Sequence, residues 1–334
     1  MPDMSAGIIG TGYYLPEKVL TNFDLEQMVQ TSDAWIVERT GIHERRIAED
    51  GEPVSALAFR AAEMALADAG IAGEDLDLII MATLTSDRII PATSCILQDR
   101  LGAKHAAAFD LSAACSGFVY ASSIAAQFIE SGIYRYILVI GAETLSKVID
   151  WKDRNTCILF GDGAGAAVFG AVEQGYGIRA FDLGSDGSGG DVLEIPSSGS
   201  LHPVTPETIE QRLNYVHMDG KAVFRFATKV MGRTVETSLQ KAGMKREELD
   251  FLVPHQANIR IIQSAAKRLD LPMEKVIINI HRYGNMSAAS IPVALAEAAH
   301  AQQFKKGDNI ALAGFGAGLT WASCIMKWAK EENG

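Results

Sequence analysis

An internal repeat with one fixed offset constrains the fold of this chain more than any other feature. Residues 61–83 and 234–256 share one pattern, in which an amphipathic helix ends at a glycine and an acidic turn leads into an apolar strand. The same offset relates two further loop-and-strand segments, residues 135–142 and 308–315. Because one offset without gaps relates all of these segments, we predict a duplicated α/β unit.

Two halves follow from the repeat, and we place them at residues 1–171 and 172–334. In each half, apolar strand runs alternate with amphipathic helices, which is typical of mainly parallel sheets covered by helices. Sheets of this kind bind their ligands at the carboxyl ends of the strands. The sequence therefore predicts that functional residues lie at strand ends and at the helix starts that follow them.

Three candidate functional residues occupy such positions. His255 follows the apolar run FLVP, and Cys115 begins a helical stretch whose counterpart in the second half is preceded by Asn285. The offset of the repeat carries Cys115 to Ala288, which lies just beyond Asn285. We therefore expect Cys115 and Asn285 to approach each other where the two halves meet.

Cys115 is the best candidate for a nucleophile among the four cysteines of the chain. It lies in the segment AACSGF, whose small residues leave room for a substrate. At a helix N-terminus, the helix dipole and the free N–H groups are expected to favour the thiolate. The spacing of Cys95, Cys157 and Cys324 fits neither a zinc site nor a disulfide framework, so we interpret these three as structural.

Two glycine-rich segments accompany the candidate residues. Residues 160–170, FGDGAGAAVFG, match neither a dinucleotide nor a phosphate-loop pattern, so we interpret them as closely packed backbone supported by Asp162. Residues 314–321, GFGAGLTW, follow the last apolar run of the repeat. Their glycines are expected to turn backbone N–H groups toward the cysteine and to form an oxyanion hole.

Charge and composition argue against several classes of protein. The formal net charge of −11 disfavours binding to nucleic acid or to an anionic membrane. We find no apolar stretch long enough to span a bilayer and no secretory signal, so we expect a cytoplasmic protein. Within this acidic chain, residues 221–233 and 256–268 contain basic residues and no acidic ones, and we expect them to face an anionic ligand or partner.

Four motifs, AACSGF, PHQAN, GNMSAAS and GFGAG, occur in this order, and with them the chain resembles the β-ketoacyl-acyl-carrier-protein synthase III family over essentially its full length. The resemblance implies a thiolase-like α/β fold, duplicated and arranged in five layers, α/β/α/β/α. It also implies a homodimer that needs no metal or other cofactor, with acyl-CoA and acyl carrier protein as its partners.

The same resemblance implies a condensing reaction that initiates fatty acid synthesis. Cys115 would take an acyl group from acyl-CoA, and malonyl-acyl-carrier-protein would then lose carbon dioxide and attack the resulting thioester. His255 and Asn285 would both donate hydrogen bonds to the enolate oxygen, which requires a neutral His255 with its N–H on Nε2.

Further roles are implied by the resemblance for four groups of residues. Trp35 and Arg154 would hold the CoA adenine. The pantetheine tunnel would be lined by Gly220, Phe224 and Asn258. The carrier-protein docking surface would comprise Arg225, Gln256, Ala257, Asn258, Ile259, Arg260, Lys267 and Arg268. The acyl pocket would comprise Ile90, Leu145 and Phe160, and the oxyanion loop Gly316, Ala317 and Gly318.

Three positions depart from the family pattern. Met286 stands where the family usually has threonine, and Ala317 where it usually has glycine. If the backbone at Ala317 must be left-handed, alanine there costs about 1 kcal/mol. Ile90 stands where some relatives insert an aromatic ring into the acyl pocket of the partner subunit. We therefore expect a roomier pocket that admits branched or longer primers.

Other functions are compatible with parts of this pattern. A specialised condensing enzyme of secondary metabolism would share the motifs and differ in its acceptor. A cysteine acyl hydrolase would need a carboxylate or an amide that orients His255, and it would release free acid. Elongating condensing enzymes use two histidines and a thiolase needs a second catalytic cysteine, so both fit less well. A non-catalytic acyl-binding protein would have no need of Cys115.

Overall fold

The computed structural model describes residues 5–331 and has two main sheets with helices packed against them. The strands are β1 (Ser5–Tyr14), β2 (Val19–Thr21), β3 (Glu44–Arg46), β4 (Leu78–Ala82), β5 (Ala107–Leu111), β6 (Ile137–Thr144), β7 (Asp162–Val172), β8 (Gly177–Ser185), β9 (Leu193–Glu194), β10 (His217–Met218), β11 (Phe251–Pro254), β12 (Asn309–Gly316) and β13 (Thr320–Lys327). The helices are α1 (Asn22–Glu26), α2 (Asp33–Thr40), α3 (Val54–Ala69), α4 (Thr93–Arg100), α5 (Gly117–Glu130), α6 (Arg154–Cys157), α7 (Pro206–Glu210), α8 (Gly220–Lys241), α9 (Ile259–Arg268), α10 (Ile280–Tyr283) and α11 (Ser290–His300).

The two main sheets are mixed, so our expectation of mainly parallel sheets is wrong. Their strand orders are β1-β7-β6-β4-β5 and β11-β12-β13-β8. β4 runs parallel to β5 and β6, and β11 runs parallel to β12. β7 and β13 run antiparallel to both of their neighbours. Residues 317–319 alone join β12 to β13, and a connection this short can link only antiparallel strands.

Helices and sheets alternate in five layers. α5 and α11 lie between the two sheets in one hydrophobic core, which contains Ile80 and Phe118 from the first half and Leu312 from the second. α3 covers the outer face of the first sheet, and α8 and α9 cover the outer face of the second. The predicted α/β/α/β/α arrangement is confirmed.

Equivalent elements of the two halves keep the offset of the sequence repeat. It relates the starts of β4 and β11, the starts of α5 and α11, and the 3₁₀ turns Ala114–Ser116 and Ser287–Ala289. The backbone of the turns is repeated as well, because Ala114 and Ser287 have left-handed φ values of 49° and 45°. The chain passes from the first sheet to the second between β7 and β8. This supports a division near residue 171, and the boundary itself stays a prediction.

The glycine-rich strand β7 lets α11 pack directly on the first sheet. A Cβ at Gly165 would come within 2.6 Å of the carbonyl carbon of Pro292. Asp162, at the start of the strand, is buried and accepts hydrogen bonds of 2.8 and 2.9 Å from the backbone N–H groups of Ala48 and Ser146. The interpretation of this segment as closely packed backbone is therefore confirmed.

Candidate active site

Cys115 lies in the 3₁₀ turn that precedes α5, and it is buried. The left-handed backbone of Ala114 makes this turn sharp. The end of β12 lies opposite, where Gly316 is so close that a Cβ there would stand 2.6 Å from the backbone nitrogen of Cys115. The thiol therefore lies where a helix start of the first half meets a strand end of the second.

Burial raises the pKa of the Cys115 thiol to about 12. The Ser287 hydroxyl and the backbone N–H of Cys115 lower this pKa, whereas the Glu143 carboxylate raises it. A helix N-terminus stabilises a nearby negative charge by about 0.3–1 kcal/mol, which is less than the cost of removing a thiolate from water. Burial therefore opposes the stabilisation of the thiolate that the helix start provides, and the expectation that this position favours the thiolate stays a prediction.

His255 directly follows β11 and is 1% exposed. Its backbone N–H donates to the carbonyl oxygen of Ala313 on β12 at 2.7 Å, and its ring packs edge-to-face on Phe315 at 5.4 Å. Neither ring nitrogen has a hydrogen-bond partner within residues 5–331. Burial lowers the pKa of His255 to about 3, so the ring is neutral at physiological pH. One of its nitrogens is consequently an N–H donor available to a ligand.

Asn285 is held by its neighbours in a way that orients its side-chain amide. Its backbone N–H donates to the carbonyl oxygen of Leu159 at 2.8 Å, and its own carbonyl accepts from Gly161 at 3.0 Å. The side-chain oxygen accepts a hydrogen bond of 2.8 Å from the backbone N–H of Ser287. Because the oxygen is engaged in this way, the side-chain N–H₂ group is the one left for a ligand.

Cys115, His255 and Asn285 line one cavity with a volume of about 660 Å³. The three residues that the family resemblance assigned to a tunnel also line it, and they are Gly220, Phe224 and Asn258. Most of the remaining lining is apolar, from residues such as Leu193, Met218, Val223, Phe226, Ile261 and Leu319. The arrangement brings a thiol and two neutral hydrogen-bond donors together in a cavity whose lining is mostly apolar.

A second cavity, with an empty volume of about 710 Å³, adjoins the first at Cys115 and Phe160, which line both. Leu145 also lines it, so two of the three predicted acyl-pocket residues border this space. The third, Ile90, does not line the cavity of its own chain and is 82% exposed at the surface. The prediction that Ile90 reaches the pocket of a partner subunit stays a prediction.

The loop after β12 does not require the strained backbone that we considered at Ala317. Positive φ occurs at Gly318, with a value of 133°, and Ala317 is not among the residues with positive φ. The expected cost of alanine therefore does not arise. Ala317 lines the second cavity, whereas Met286 is buried and packs over Gly163, in the core between α11 and β7.

Trp35 and Arg154 are in contact, as the proposed adenine site requires, but they are not alone. The Arg154 guanidinium lies 4.8 Å from the centre of the indole, and the Arg39 guanidinium lies at the same distance. Arg39 was not among the residues predicted from the sequence. Both guanidiniums lie over the indole, so a stacking base must displace at least one of them.

The basic windows fold into exposed faces of α8 and α9, as expected. Arg225, Arg260, Lys267 and Arg268 are all exposed. Arg260 also lies over the ring of Phe224 at 5.3 Å, at the cavity that contains Cys115. Arg268 is partly neutralised, because it forms a 2.6 Å ion pair with Glu236.

Gln256 was wrongly predicted to belong to the docking surface. The residue is fully buried, and its side-chain N–H₂ donates to the carbonyl oxygens of Pro254 and Ile277. Its side-chain oxygen accepts from the backbone N–H groups of Asn279 and Ile280, both at 3.1 Å. With its hydrogen-bonding capacity used inside the fold, Gln256 supports the segment that leads to Asn285.

The neighbours of Gln256 in the predicted docking set are only partly accessible. Ala257, Asn258 and Ile259 are half-buried. Asn258 caps α9 and donates a hydrogen bond of 2.8 Å to the carbonyl oxygen of Arg39. Ala257 and Asn258 line the cavity that contains Cys115, whereas Ile259 does not.

Glu143 is a buried carboxylate near Cys115 that our sequence analysis missed. It ends the apolar run of β6 and is 0% exposed, and burial raises its pKa to about 7. An acidic residue in the otherwise apolar segment ILVIGAET was the only signal in the sequence.

Within residues 5–331, no three His, Cys, Asp or Glu side chains are grouped to hold a metal ion. Every helix in this range is too short or too polar to span a membrane.

Comparison with family models gives two matches, both within one family. The model for the C-terminal part of 3-oxoacyl-acyl-carrier-protein synthase III matches residues 239–328, and the model for the preceding part of the same enzyme matches residues 109–187. The first of these segments contains His255 and Asn285, and the second contains Cys115.

Individual relatives match over nearly the whole chain. The β-ketoacyl-acyl-carrier-protein synthase III of Desulfitobacterium hafniense strain Y51 is 57% identical over 98% of this chain and 99% of its own. The crystal structure of 3-oxoacyl-acyl-carrier-protein synthase III from Aquifex aeolicus has a TM-score of 0.90 and 48% identity, covering 97% of this chain and all of that one. The priming β-ketosynthase of the R1128 polyketide pathway also has a TM-score of 0.90, with 36% identity over 98% of both chains.

Proposed function

Because the chain belongs to the 3-oxoacyl-acyl-carrier-protein synthase III family, we propose that it condenses an acyl-CoA primer with malonyl-acyl-carrier-protein and so initiates fatty acid synthesis. The products are 3-oxoacyl-acyl-carrier-protein, CoA and carbon dioxide. One observation carries this proposal: Cys115 lies at the junction of two cavities, and the neutral donors His255 and Asn285 line the first of them with it. The reaction needs this combination of a nucleophile, a place for the acyl chain and donors for an enolate.

In the first half-reaction, the Cys115 sulfur attacks the thioester carbonyl of acyl-CoA. The pantetheine arm occupies the first cavity, beside Gly220 and Phe224, and the acyl chain enters the second cavity beside Leu145 and Phe160. The backbone N–H of Cys115 and the loop Gly316–Gly318 stabilise the tetrahedral oxyanion. CoA then leaves, and the acyl group stays on the sulfur.

In the second half-reaction, malonyl-acyl-carrier-protein occupies the same channel and loses carbon dioxide. Negative charge develops on the thioester oxygen of the malonyl group, and His255 and Asn285 donate hydrogen bonds to it. Both donors are neutral, so they stabilise the enolate without protonating the carbon that must attack the acyl thioester. The carbon–carbon bond forms, and the Cys115 sulfur is expelled.

The remaining binding roles belong to this proposal. Trp35 and Arg154, with Arg39, would bind the CoA adenine at the entrance. The exposed basic residues of α8 and α9 would dock acyl carrier protein, which is acidic, through a contact that weakens with salt. We further propose a cytoplasmic homodimer that works with no cofactor.

Intact mass spectrometry of the protein with acyl-CoA tests the proposal. The wild type and Cys95→Ser should gain the mass of one acyl group, whereas Cys115→Ala should not. Cys95 is the matched control because its thiol is exposed and could be acylated adventitiously. Addition of malonyl-acyl-carrier-protein should then remove the adduct and yield 3-oxoacyl-acyl-carrier-protein. An acyl adduct on Cys115→Ala, or none on the wild type, would refute the mechanism.

Two alternatives make different predictions in the same experiment. A hydrolase would convert the adduct to free acid, but neither ring nitrogen of His255 has, within residues 5–331, the carboxylate or amide partner that such an enzyme needs. A specialised condensing enzyme would acylate Cys115 and then transfer the acyl group to another acceptor. The similarity to a priming β-ketosynthase of a polyketide pathway is the observation that favours this second candidate.

A further inference from the structure

Gln256 is a buried amide of the motif PHQAN that the proposed function leaves unexplained. Its side chain is 0% exposed, and it donates hydrogen bonds to the carbonyl oxygens of Pro254 at 2.8 Å and Ile277 at 3.1 Å. It also accepts hydrogen bonds of 3.1 Å from the backbone N–H groups of Asn279 and Ile280. Four hydrogen bonds use the full capacity of a side-chain amide, so none is left for a ligand.

One of the donated hydrogen bonds fixes the backbone around His255. Pro254 is the last residue of β11, and the hydrogen bond from Gln256 to its carbonyl oxygen spans His255 alone. The His255 ring has no hydrogen-bond partner of its own within residues 5–331. The position of this ring therefore depends on the backbone that Gln256 holds and on its packing against Phe315.

The two accepted hydrogen bonds hold the start of α10. The first N–H groups of a helix have no partner within the helix, and the side chain of Asn279, which precedes α10, makes no capping hydrogen bond. The side-chain oxygen of Gln256 supplies the missing acceptor. At the other end of this short helix, Gly284 alone separates α10 from Asn285. The segment that carries Asn285 therefore begins at Gln256.

We propose that Gln256 is a positioning residue that sets the distance between His255 and Asn285, the two donors of the proposed decarboxylation. The N–H₂ group of its amide holds the strand end that carries His255, and the oxygen holds the helix that leads to Asn285. Two donors to one enolate oxygen must both lie about 2.7–3.1 Å from it, so their spacing has to be fixed in advance. This inference rests on the proposed function, because the enolate is what requires both donors at once.

A second set of contacts holds the same segment without reaching His255. Glu297 on α11 accepts hydrogen bonds from the side-chain N–H₂ of Asn279 at 2.8 Å and from the hydroxyl of Tyr283 at 2.5 Å. These contacts join the segment to α11 and not to the end of β11. They can keep the segment folded when Gln256 is replaced, but they do not set its distance from His255.

The two half-reactions, measured separately in the wild type, Gln256→Met and Gln256→Glu, test this role. Methionine has a similar shape and loses all four hydrogen bonds, whereas glutamate keeps the accepted bonds and loses at least one donated bond. A misplacement of about 1 Å can cost about 10²-fold in rate. We therefore expect Gln256→Met to release carbon dioxide from malonyl-acyl-carrier-protein about 100-fold more slowly, with Gln256→Glu between it and the wild type. Acylation of Cys115 should change less than about threefold, because it does not use the two donors.

A double-mutant cycle separates positioning from general support of the fold. If Gln256 acts by aligning two donors, its replacement should matter less once one donor is gone. In an Asn285→Ala background, the loss of decarboxylation caused by Gln256→Met should shrink from about 100-fold to less than about tenfold. A loss of equal size in both backgrounds would mean that the two residues act independently, and it would overturn the inference.

Thr234→Val is the control for the loss of buried hydrogen bonds, because the Thr234 hydroxyl on α8 contacts Asp182 at 2.9 Å and Ser323 at 3.0 Å. It should lower the Tm and leave the ratio of the two rates unchanged. A wild type that releases no carbon dioxide refutes the proposed function itself. With an active wild type, undiminished decarboxylation by Gln256→Met would overturn the inference. Equal losses in both half-reactions, or variants too unstable to be acylated, would do the same and leave Gln256 a purely structural role.

Discussion

Replacement of Gly316 by alanine should slow the acylation of Cys115, because the structure leaves no space for a methyl group beside the thiol. A Cβ at this position would stand 2.6 Å from the backbone nitrogen of Cys115 and 2.9 Å from the Cβ of Ala114. Ordinary contact begins at 3.4 Å, so β12 and the turn must separate by roughly 0.8 Å, the difference between 3.4 and 2.6 Å. Neither neighbour is the flexible end of a side chain, and the backbone itself must therefore move.

This displacement should lower the rate of Cys115 acylation more than it lowers the stability of the fold. A misplacement of about 1 Å in an active site can cost about 10²-fold in rate, whereas overpacking of a core costs about 1–3 kcal/mol of stability. We therefore expect Gly316→Ala to fold and to be acylated about 100-fold more slowly than the wild type at pH 7.5. Rapid quenching followed by intact mass measurement gives the rate, and thermal unfolding gives the stability.

Gly314→Ala is the matched control on the same strand. A Cβ there would stand 3.1 Å from the Cys115 carbonyl oxygen and 3.1 Å from Cδ1 of Ile291, so a shift of a few tenths of an ångström accommodates it. Its acylation rate should stay within about threefold of the wild type, since small core adjustments are tolerated best. Wild-type acylation by Gly316→Ala would refute the argument. An equal loss of rate in both variants would mean general destabilisation instead.

Further outcomes follow from the site and its surroundings. His255→Ala and Asn285→Ala should slow the release of carbon dioxide from malonyl-acyl-carrier-protein more than they slow acylation, and equal losses would contradict their roles as enolate donors. Burial lowers the pKa of His255 to about 3, whereas a histidine in the unfolded chain has a pKa near 6.5. As the pH falls below about 6.5, the unfolded chain therefore binds a proton at this residue and the folded chain does not. Stability measured in urea should fall below that pH, and His255→Gln should show a shallower fall. Replacement of Arg225 and Arg260 by alanine should raise the KM for malonyl-acyl-carrier-protein and reduce its salt dependence, with little change in the KM for acyl-CoA. Because Ile90 stands where some relatives have an aromatic ring, we expect isobutyryl- and hexanoyl-CoA to have kcat/KM values similar to that of acetyl-CoA. A large preference for acetyl-CoA would argue against a roomier pocket.

The sequence was sufficient to predict the duplicated α/β fold, because the repeat appears directly in the order of apolar and amphipathic segments. Strand direction was mispredicted, since an apolar run has the same composition whether its neighbour is parallel or antiparallel. The deciding feature was the length of a connection: residues 317–319 form a link too short for a crossover. Alternation of elements alone did not reveal this.

For Cys115, His255 and Asn285, residue chemistry and position in the repeat together predicted one shared site, and the three residues do line one cavity. Gln256 was misassigned because its neighbours along the chain reach the surface, whereas its own side chain points inward to four backbone groups. The helix start beside Cys115 is visible in the sequence, whereas the burial that raises the pKa of its thiol is not. Glu143 was missed for the same reason, since its proximity to the thiol depends on packing across distant elements.

The matching left-handed turns at Ala114 and Ser287 show that the same backbone conformation occurs once in each half, beside different functional groups. The first turn carries the Cys115 thiol, and the second directly follows the Asn285 amide. Neither copy holds a complete centre, so a chain cleaved between β7 and β8 would consist of two inert fragments. Activity would return only when the fragments reassociate through α5 and α11, which makes the reaction a direct measure of how well the two halves dock.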